Sequence, residues 1–501
     1  MFTMSEIIEF AIRIEENGEK VYRDALEKVS DPSLVSLLQW LADEESEHVR
    51  WFSHLKETVK EGTVDPQLGE MGESLLLEVV GDQTFSLKEG DLSKAVDLEE
   101  VLKVALGFEK DTVIFYEMMG SFIQEDAALA KLDQIIQEEN RHVRVLGEFL
   151  REGNVPPPFA LRTLAKNMNR KHLGNSHLLV TPMGLGLAAL GRPGYINLGH
   201  GDDLNHDHHV AAMEAQAHSV LDSAWDAGIR YFDAARSYGK AEDFLHSWLS
   251  KRGITEKACT IGSKWGYTYT ADWQVNLPKG QKHEIKEHSL PVLQRQILES
   301  RALLGGHLDL YQIHSTTLDS GVLTNEAVLL ELARLRNTGL RIGFSVSGTG
   351  QADTIRRALE IEFDGILLFS AVQATWNLLE QSVTGALREA HEVGMGVIVK
   401  EGLANGRLTS RNDSPEFGRK MAFLQAQAET QNITVDGMAL AAVISQPFVD
   451  VVLSGAACVD HLKSNLQALK VNWNDSLAEM LDVLVEPAEN YWHIREQLAW
   501  N

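Results

Sequence analysis

A chain of 501 residues is too long for one ordinary domain and predicts two or more. Its 46 basic against 72 acidic residues, a formal charge of -26, argue against nucleic acid or an anionic membrane surface as partner. Two cysteines, Cys259 and Cys458, supply neither a disulfide framework nor a Cys-x-x-Cys site. Met1 to Phe10 lacks a basic n-region and a long apolar core, so neither a signal peptide nor a membrane span is expected, and the cytoplasm is the expected compartment.

In the first segment Ile7, Ile8, Ala11, Ile14 and Val21 recur at roughly helical spacing, as do Val101, Val104, Ala105, Phe108 and Phe115 in the third. One pattern appears twice at a constant offset of 94 residues: Glu15, Tyr22, Glu45 and His48 return as Glu109, Tyr116, Glu139 and His142. Positions i and i+3 share a helix face, so Glu45 with His48, and Glu139 with His142, can each offer a carboxylate and an imidazole to one point. Adding one inward Glu from each of two further helices, Glu15 and Glu109, gives the six-residue set of a carboxylate-bridged di-metal bundle. Glu15 is preferred over Glu16 because position 110 in the second copy is Lys. Tyr22 and Tyr116 lie two turns beyond Glu15 and Glu109, either as ordinary core aromatics or on the face of the site.

These helices, reading A-x-x-x-E…Y and E-E-x-x-H, resemble the rubrerythrin branch of the ferritin-like proteins. The resemblance implies an all-α four-helix bundle over 1–150 holding two iron ions, with manganese as the alternative. It selects Glu45 and Glu139 over their neighbours Glu44 and Glu138, and it makes a homo-oligomer through the bundle the expected assembly. Gly62 to Asp97, with the apolar stretch Leu75 to Val80, reads as the crossover of a two-hairpin bundle. A connector is expected over 151–176, where Pro156-Pro157-Pro158 prevents the fourth helix from continuing.

From His177 short apolar runs alternate with helical segments, as βα units do. Candidate strands are Met183 to Leu190, Ile229 to Ala234, Cys259 to Lys264, Leu308 to His314, Arg341 to Val346, Gly365 to Val372, Gly396 to Lys400 and Val449 to Ser454. Eight such runs fit an α/β (β/α)8 TIM barrel over 177–501, whose strand C-terminal ends face the active site. Asp233, Lys264 and His314 stand at such ends. The loop after the first strand carries His200, His206, His208 and His209 with Asp202, Asp203 and Asp207, a run more often solvated than metal-binding. The insertion Gly266 to Leu290, with Tyr267, Tyr269 and Trp273, is expected to shape a substrate pocket.

The segment GIRYFDAARSYGKAE at 228–242 resembles the G-x-x-x-F-D-T-A-x-x-Y-G motif of the aldo-keto reductases, and DLYQIHS at 309–315 resembles their D-L-Y-Q-I-H strand. IGSKWG, IGFSVSG, VQATWNLLE and ANGRLT follow in the order of further family blocks, so that the resemblance covers about 177 to 470. It implies reduction of an aldehyde or ketone with NAD(P)H, or the reverse oxidation of an alcohol or sugar hydroxyl. Tyr238 would be the general acid, with a phenol pKa lowered from about 10 by the ammonium of Lys264. Asp233 would position Lys264, and His314 would orient the carbonyl.

Ser345 and Gln373 match positions that hold the nicotinamide carboxamide in this family, and Gly455 and Asn465 match the loop and helix near the adenine end. The chain departs from relatives at Val346, at Lys400-Glu401 in place of a Tyr-Ser pair, and at Gly455 and His461, aligned where NADP-specific members carry Lys and Arg. NADPH is the expected cofactor and NADH the alternative. Two other functions stay open: an iron-binding peroxide or oxygen stress protein, and a barrel enzyme with a purely structural bundle. Hydride transfer moves two electrons whereas an iron pair commonly passes them singly, and no flavin motif or rubredoxin-like cysteine cluster is present to convert between them.

Overall fold

The computed structural model describes residues 4–26, 32–58, 98–120, 126–152, 168–204 and 206–500. They fall into two compact units, Met1–Thr163 and Leu164–Asn501. The crossover expected over 62–97 lies outside the described residues, as does the connector from 153 to 167.

The first unit is the helical bundle expected from the repeat: α1 (Met4–Leu26), α2 (Pro32–Thr58), α3 (Leu98–Gly120) and α4 (Asp126–Glu152). Two antiparallel pairings dominate, α1 with α2 and α3 with α4. The apolar stripe of each helix divides between two core clusters. One gathers Ile8, Ile14, Phe52, Phe115, Met119 and Leu132, and the other Ala25, Leu38, Leu41, Leu102, Ala105 and Leu146. Along α1, α2 and α4 the repeated Glu and His residues lie between these clusters, and Glu109 on α3 directly follows Phe108 of the first, so apolar packing flanks the polar layer.

The second unit is a closed parallel barrel of β1 (Met183–Gly186), β2 (Tyr231–Asp233), β3 (Thr260–Trp265), β4 (Leu308–Thr316), β5 (Arg341–Val346), β6 (Ala371–Thr375), β7 (Gly396–Lys400) and β8 (Val451–Ser454). Each strand pairs with its sequence neighbour, and β8 closes on β1 with Val452 opposite Met183. Crossover helices run between successive strands: α5 (Val210–Asp226), α6 (Ala241–Arg252), α7 (Leu290–Leu304), α8 (Glu326–Asn337), α9 (Gln351–Ala358) and α10 (Thr384–Glu392). α11 (Gly418–Thr430) and α12 (Val435–Ile444) link β7 to β8, with α13 (Val459–Leu466) and α14 (Ala488–Glu496) following.

Tyr231, Leu310, Ala371, Ile398 and Val451 fill the barrel interior together with Leu173 and Val180. Leu173 follows, and Val180 belongs to, a short antiparallel pairing of Lys171–His172 with Leu179–Val180, so the end of the expected connector packs with the barrel. Burying each such side chain is worth about 1.5–3 kcal/mol. One expected strand divides in two: Ile366–Leu367 forms a small antiparallel hairpin with Glu362–Phe363, and the barrel strand begins at Ala371. Asp364 and Gly365, both with positive φ, make the turn that separates them.

Candidate active site and candidate metal centre

The 94-residue repeat converges in three dimensions. Glu15, Glu45, His48, Glu109, Glu139 and His142 are all buried, none more than 4% exposed. Ligand-type atoms form two overlapping groups, Glu15, Glu45, His48 and Glu139, and Glu45, Glu109, Glu139 and His142, each with its atoms within 4.8 Å of one another. Glu45 and Glu139 belong to both. His48 Nδ1 lies 2.9 Å from Glu139 and 3.5 Å from both Glu15 and Glu45, while His142 Nδ1 lies 3.0 Å from Glu139 and 3.2 Å from Glu109. Glu138 sits outside this layer, partly exposed, with Oε2 at 3.1 Å from His48 Nε2.

The tyrosines resolve their two readings. Tyr22 donates to Glu109 and Tyr116 donates to Glu15, so each half of the repeat caps the carboxylate of the other. Burial and the neighbouring carboxylates hold Glu45 well above the ordinary carboxyl range. Burial also pushes Glu109 up to about 8, against the opposing charge of His142. Burial penalises the charge on Glu139 as well, but His142 and His48 outweigh it and keep this group low. Conversely burial disfavours the charged form of His142, yet Glu109 and Glu139 raise it to about 10. Neither oxygen of Glu45 accepts a hydrogen bond. Four buried carboxylates and two buried imidazoles, with acceptor oxygens of Glu15, Glu45 and Glu139 unpartnered, fit one or two multivalent cations.

In the barrel, β2 ends on Asp233, β3 carries Lys264, β4 carries His314, and Tyr238 stands in the turn between β2 and α6. Lys264, fully buried, spends its three donors on Asp233 Oδ2, on Ala234 O at 2.9 Å and on Tyr238 Oη at 3.3 Å. Asp233 Oδ1 accepts from Tyr231, Gln312 and Gln373, each at 3.1 Å. Its neighbour Gly262 keeps that space open, because a Cβ there would stand 2.7 Å from Tyr231 Oη and 3.3 Å from Asp233 Oδ1. Gly191 acts similarly: a Cβ would come within 2.2 Å of Tyr238 O, so only glycine lets the β1 loop pass the tyrosine turn.

His314 packs edge-on against Tyr238, ring centroids 5.5 Å apart, and lies 3.4 Å from Ser237 Oγ. Burial, followed by the charges of Lys264, Arg192 and Lys400, holds its imidazole well below the usual range and therefore neutral. For Tyr238 the direction is opposite to that expected of a phenol beside an ammonium. Burial and then Asp233 push it up, with Arg192 opposing them. The tyrosine is thus a protonated donor in this enclosed site.

Asp233, Tyr238 and His314 line a cavity of about 480 Å³ at the C-terminal ends of the strands, of ordinary size for a small-molecule site. Gln373, Gly455 and Asn465 line it too. Ser345 does not, being buried with its Oγ accepting from Ser315 N–H at 2.8 Å. Asn465 donates to Ser454 Oγ at 2.8 Å and leaves Oδ1 buried and bare, and nothing within 4 Å obstructs the face of Gly455. A bare acceptor and an open backbone face suit a polar ligand at this end.

The insertion contributes a hairpin, Tyr267–Tyr269 with Glu284–Lys286, of which Tyr267 and Glu284 reach the cavity. Trp273 instead donates to His208 O at 2.6 Å. The histidine loop pairs internally on its exposed surface, His206 with Asp202 at 3.1 Å and His209 with Asp207 at 2.7 Å. Arg192 is a site residue that sequence reasoning passed over. Its guanidinium lies 5.3 Å from the Tyr238 ring centre and pairs with Glu284 at 2.9 Å. Its only sequence signal is a cation directly after the first strand's glycine-rich run.

Comparison with known proteins agrees with both halves. Residues 182–486 match the family model described as the aldo/keto reductase family, and residues 6–150 match the model described as rubrerythrin. An uncharacterized oxidoreductase of Bacillus subtilis is 22% identical over 300 residues, covering 54% of this chain and 88% of its own. Norsolorinic acid reductase of Aspergillus flavus is 24% identical over 279 residues, covering 51% and 68%. A solved aldo-keto reductase from Bacillus halodurans, in its holo form, aligns at 20% identity with a TM-score of 0.49, covering 64% of this chain and 97% of that one.

Proposed function

This chain belongs to the aldo/keto reductase family through residues 182–486, and on that premise we propose that its barrel reduces a small aldehyde or ketone, or oxidises the corresponding alcohol, with NADPH. The observation that carries this is Lys264, buried behind the cavity wall, bridging the Asp233 carboxylate and the Tyr238 hydroxyl that line it. The nicotinamide, when bound, supplies a hydride to the carbonyl carbon. Tyr238 then donates its proton to the carbonyl oxygen as negative charge develops there. Lys264 holds the phenolate that remains, and Asp233 fixes Lys264 through an ion pair buried on both sides. Neutral His314 directs a ring nitrogen toward the carbonyl oxygen and limits the poses in which it meets Tyr238.

Gln373 would meet the carboxamide end, with Ser345 behind it, and Gly455 and Asn465 would hold the adenosine end. Arg411 and His461 line the same region and favour a 2′-phosphate, while the Asp203 carboxylate paired with Arg411 offsets part of that charge. NADH is accordingly the competitor, and the ratio of kcat/KM with the two cofactors decides. Tyr238→Phe is expected to lower carbonyl reduction by 10²-fold or more while cofactor binding, read by fluorescence titration, persists. Full turnover in that variant overturns the mechanism.

For the bundle we propose a di-iron centre, with manganese as the alternative occupant. Glu15, Glu45, His48 and Glu139 would hold one ion and Glu45, Glu109, Glu139 and His142 the other, Glu45 and Glu139 being common to both donor groups. Iron there supplies one-electron chemistry toward dioxygen or peroxide. Tyr22 and Tyr116 hold the end carboxylates in place from the opposite halves. Elemental analysis of the purified chain tests this, and a protein that takes up neither metal leaves the bundle as a scaffold.

A further inference from the structure

Where the adenosine end of the dinucleotide would lie, the barrel cavity borders a donor cluster that the hydride and proton transfers themselves do not use. Asp203, in the loop after β1, meets Cys458 and His461 at the start of α13. A carboxylate oxygen, the thiol sulfur and a ring nitrogen all lie within 4.8 Å of one another. Cys458 is the cap residue of α13 and His461 stands three positions on, so one helical turn presents both to the same side.

Asp203 is the telling member. Its side chain is fully buried; Oδ1 accepts from Arg411 and lies 3.4 Å from His461 Nε2, while Oδ2 accepts no hydrogen bond at all. Leaving such an oxygen bare costs about 1–3 kcal/mol, more when it is charged. That oxygen is therefore available as a ligand.

We propose that Asp203, Cys458 and His461 bind a zinc-class divalent cation, with a fourth position open to the cavity. The donor set decides the class: one thiolate, one imidazole and one carboxylate suit zinc, whereas magnesium and calcium take oxygen ligands. Zinc bonds of about 2.0–2.3 Å place tetrahedral ligands about 3.5 Å apart, so these donors need close by only about an ångström. Arg411 fixes the carboxylate from its other oxygen, the part an outer-shell partner plays. Its positive charge weakens the cation's hold, but thiolate and carboxylate together supply two negative charges against it. Of the acidic and histidine-rich loop after β1, Asp203 alone joins this cluster among the described residues. His461 and Arg411 line the cavity beside Gly455 and Asn465. If the reductase reading holds, an ion here obstructs the adenosine end and zinc competes with the dinucleotide.

Cobalt(II) alone, titrated anaerobically into the reduced full-length protein, tests the site without turnover. The bundle has no cysteine, so only a thiolate-bound ion gives the near-ultraviolet sulfur-to-cobalt band. One equivalent of band is expected, retained in Cys259→Ser, abolished in Cys458→Ser and bleached by zinc. Asp203→Asn and His461→Asn are each expected to weaken cobalt binding at least tenfold. No band, a band that survives Cys458→Ser, or Asp203→Asn binding within twofold of the parent overturns the proposal. Because the band needs no catalysis, failure of the reductase reading leaves this result standing on its own.

Discussion

In the proposed reduction Tyr238 surrenders a proton from a place where burial and the Asp233 carboxylate hold its phenol above the ordinary value. A raised acid stays protonated below its own pKa, so carbonyl reduction is expected to lose no activity through Tyr238 below about pH 10, the free-phenol value. His314, held well below its usual range, stays neutral and adds no acid limb near about pH 6.5. A kcat/KM profile with a fixed carbonyl substrate checks both. An alkaline loss with an apparent pKa near neutrality, absent from Tyr238→Phe, would show that Lys264 outweighs burial after all. The four residues proposed for proton transfer were legible because three short motifs carry them, at 228–242, 261–266 and 309–315. Arg192 and Glu284 were not, since their 2.9 Å contact joins positions 92 residues apart and no local pattern records it. Nor does any local pattern record that burial, rather than the adjacent ammonium, governs the phenol.

At the level of the elements, the repeat in the bundle was legible as paired ligands because helix periodicity fixes which residues share a face. The cross-capping of Glu15 by Tyr116 and of Glu109 by Tyr22 depends on packing between helices, which periodicity leaves open. Sharing of Glu45 and Glu139 between the two groups makes a graded prediction. Glu139→Ala should release both ions, whereas Glu15→Ala should spare the Glu109 and His142 side, and elemental analysis of each variant reads the stoichiometry. Equal retention in both variants contradicts shared carboxylates.

The strand ends were less legible, as β6 shows: apolar residues run from 365 to 372, yet positive φ at Asp364 and Gly365 turns the first part into a hairpin. At the end of β7, Glu401 ties α14 to the cavity rim by accepting from Arg495 at 2.7 Å. Burial works against its charge, but Arg495 and Lys400 outweigh it and hold the carboxyl at about 2, below its ordinary 4.5. A depressed carboxyl contributes stability above its unfolded pKa and loses it as pH falls toward the folded one, here on the order of 3 kcal/mol between about pH 4.5 and 2. Arg495→Met should lower the barrel's unfolding temperature at neutral pH and shrink its further fall in that acid window. Calorimetry at pH 7 and at about pH 3, inside that window, measures both, and an unchanged acid sensitivity refutes the assignment.

For the whole molecule the question is whether its two centres work on a common set of electrons. The proposed barrel chemistry moves two electrons as one hydride, whereas the iron proposed for the bundle's buried carboxylate and imidazole layer would change charge one electron at a time. Converting between them takes a flavin or an iron–sulfur relay. The chain's two cysteines sit at 259 and 458, too far apart in sequence for the paired spacings that bind such clusters, and no Gly-rich dinucleotide fingerprint precedes a helix in a Rossmann setting. Each core is also closed within its own unit: apolar clusters flank the ligand layer of the bundle, and Leu173 with Val180 completes the barrel interior. The centres are therefore expected to be separable. Glu139→Ala should keep barrel kcat/KM within twofold of the parent while losing its metal, and Tyr238→Phe should keep its full metal content while losing reduction. The double variant should combine the two losses without excess. A drop of tenfold or more in carbonyl reduction on emptying the bundle, with the barrel's unfolding transition unmoved, would establish that the metal layer feeds or controls the reductase.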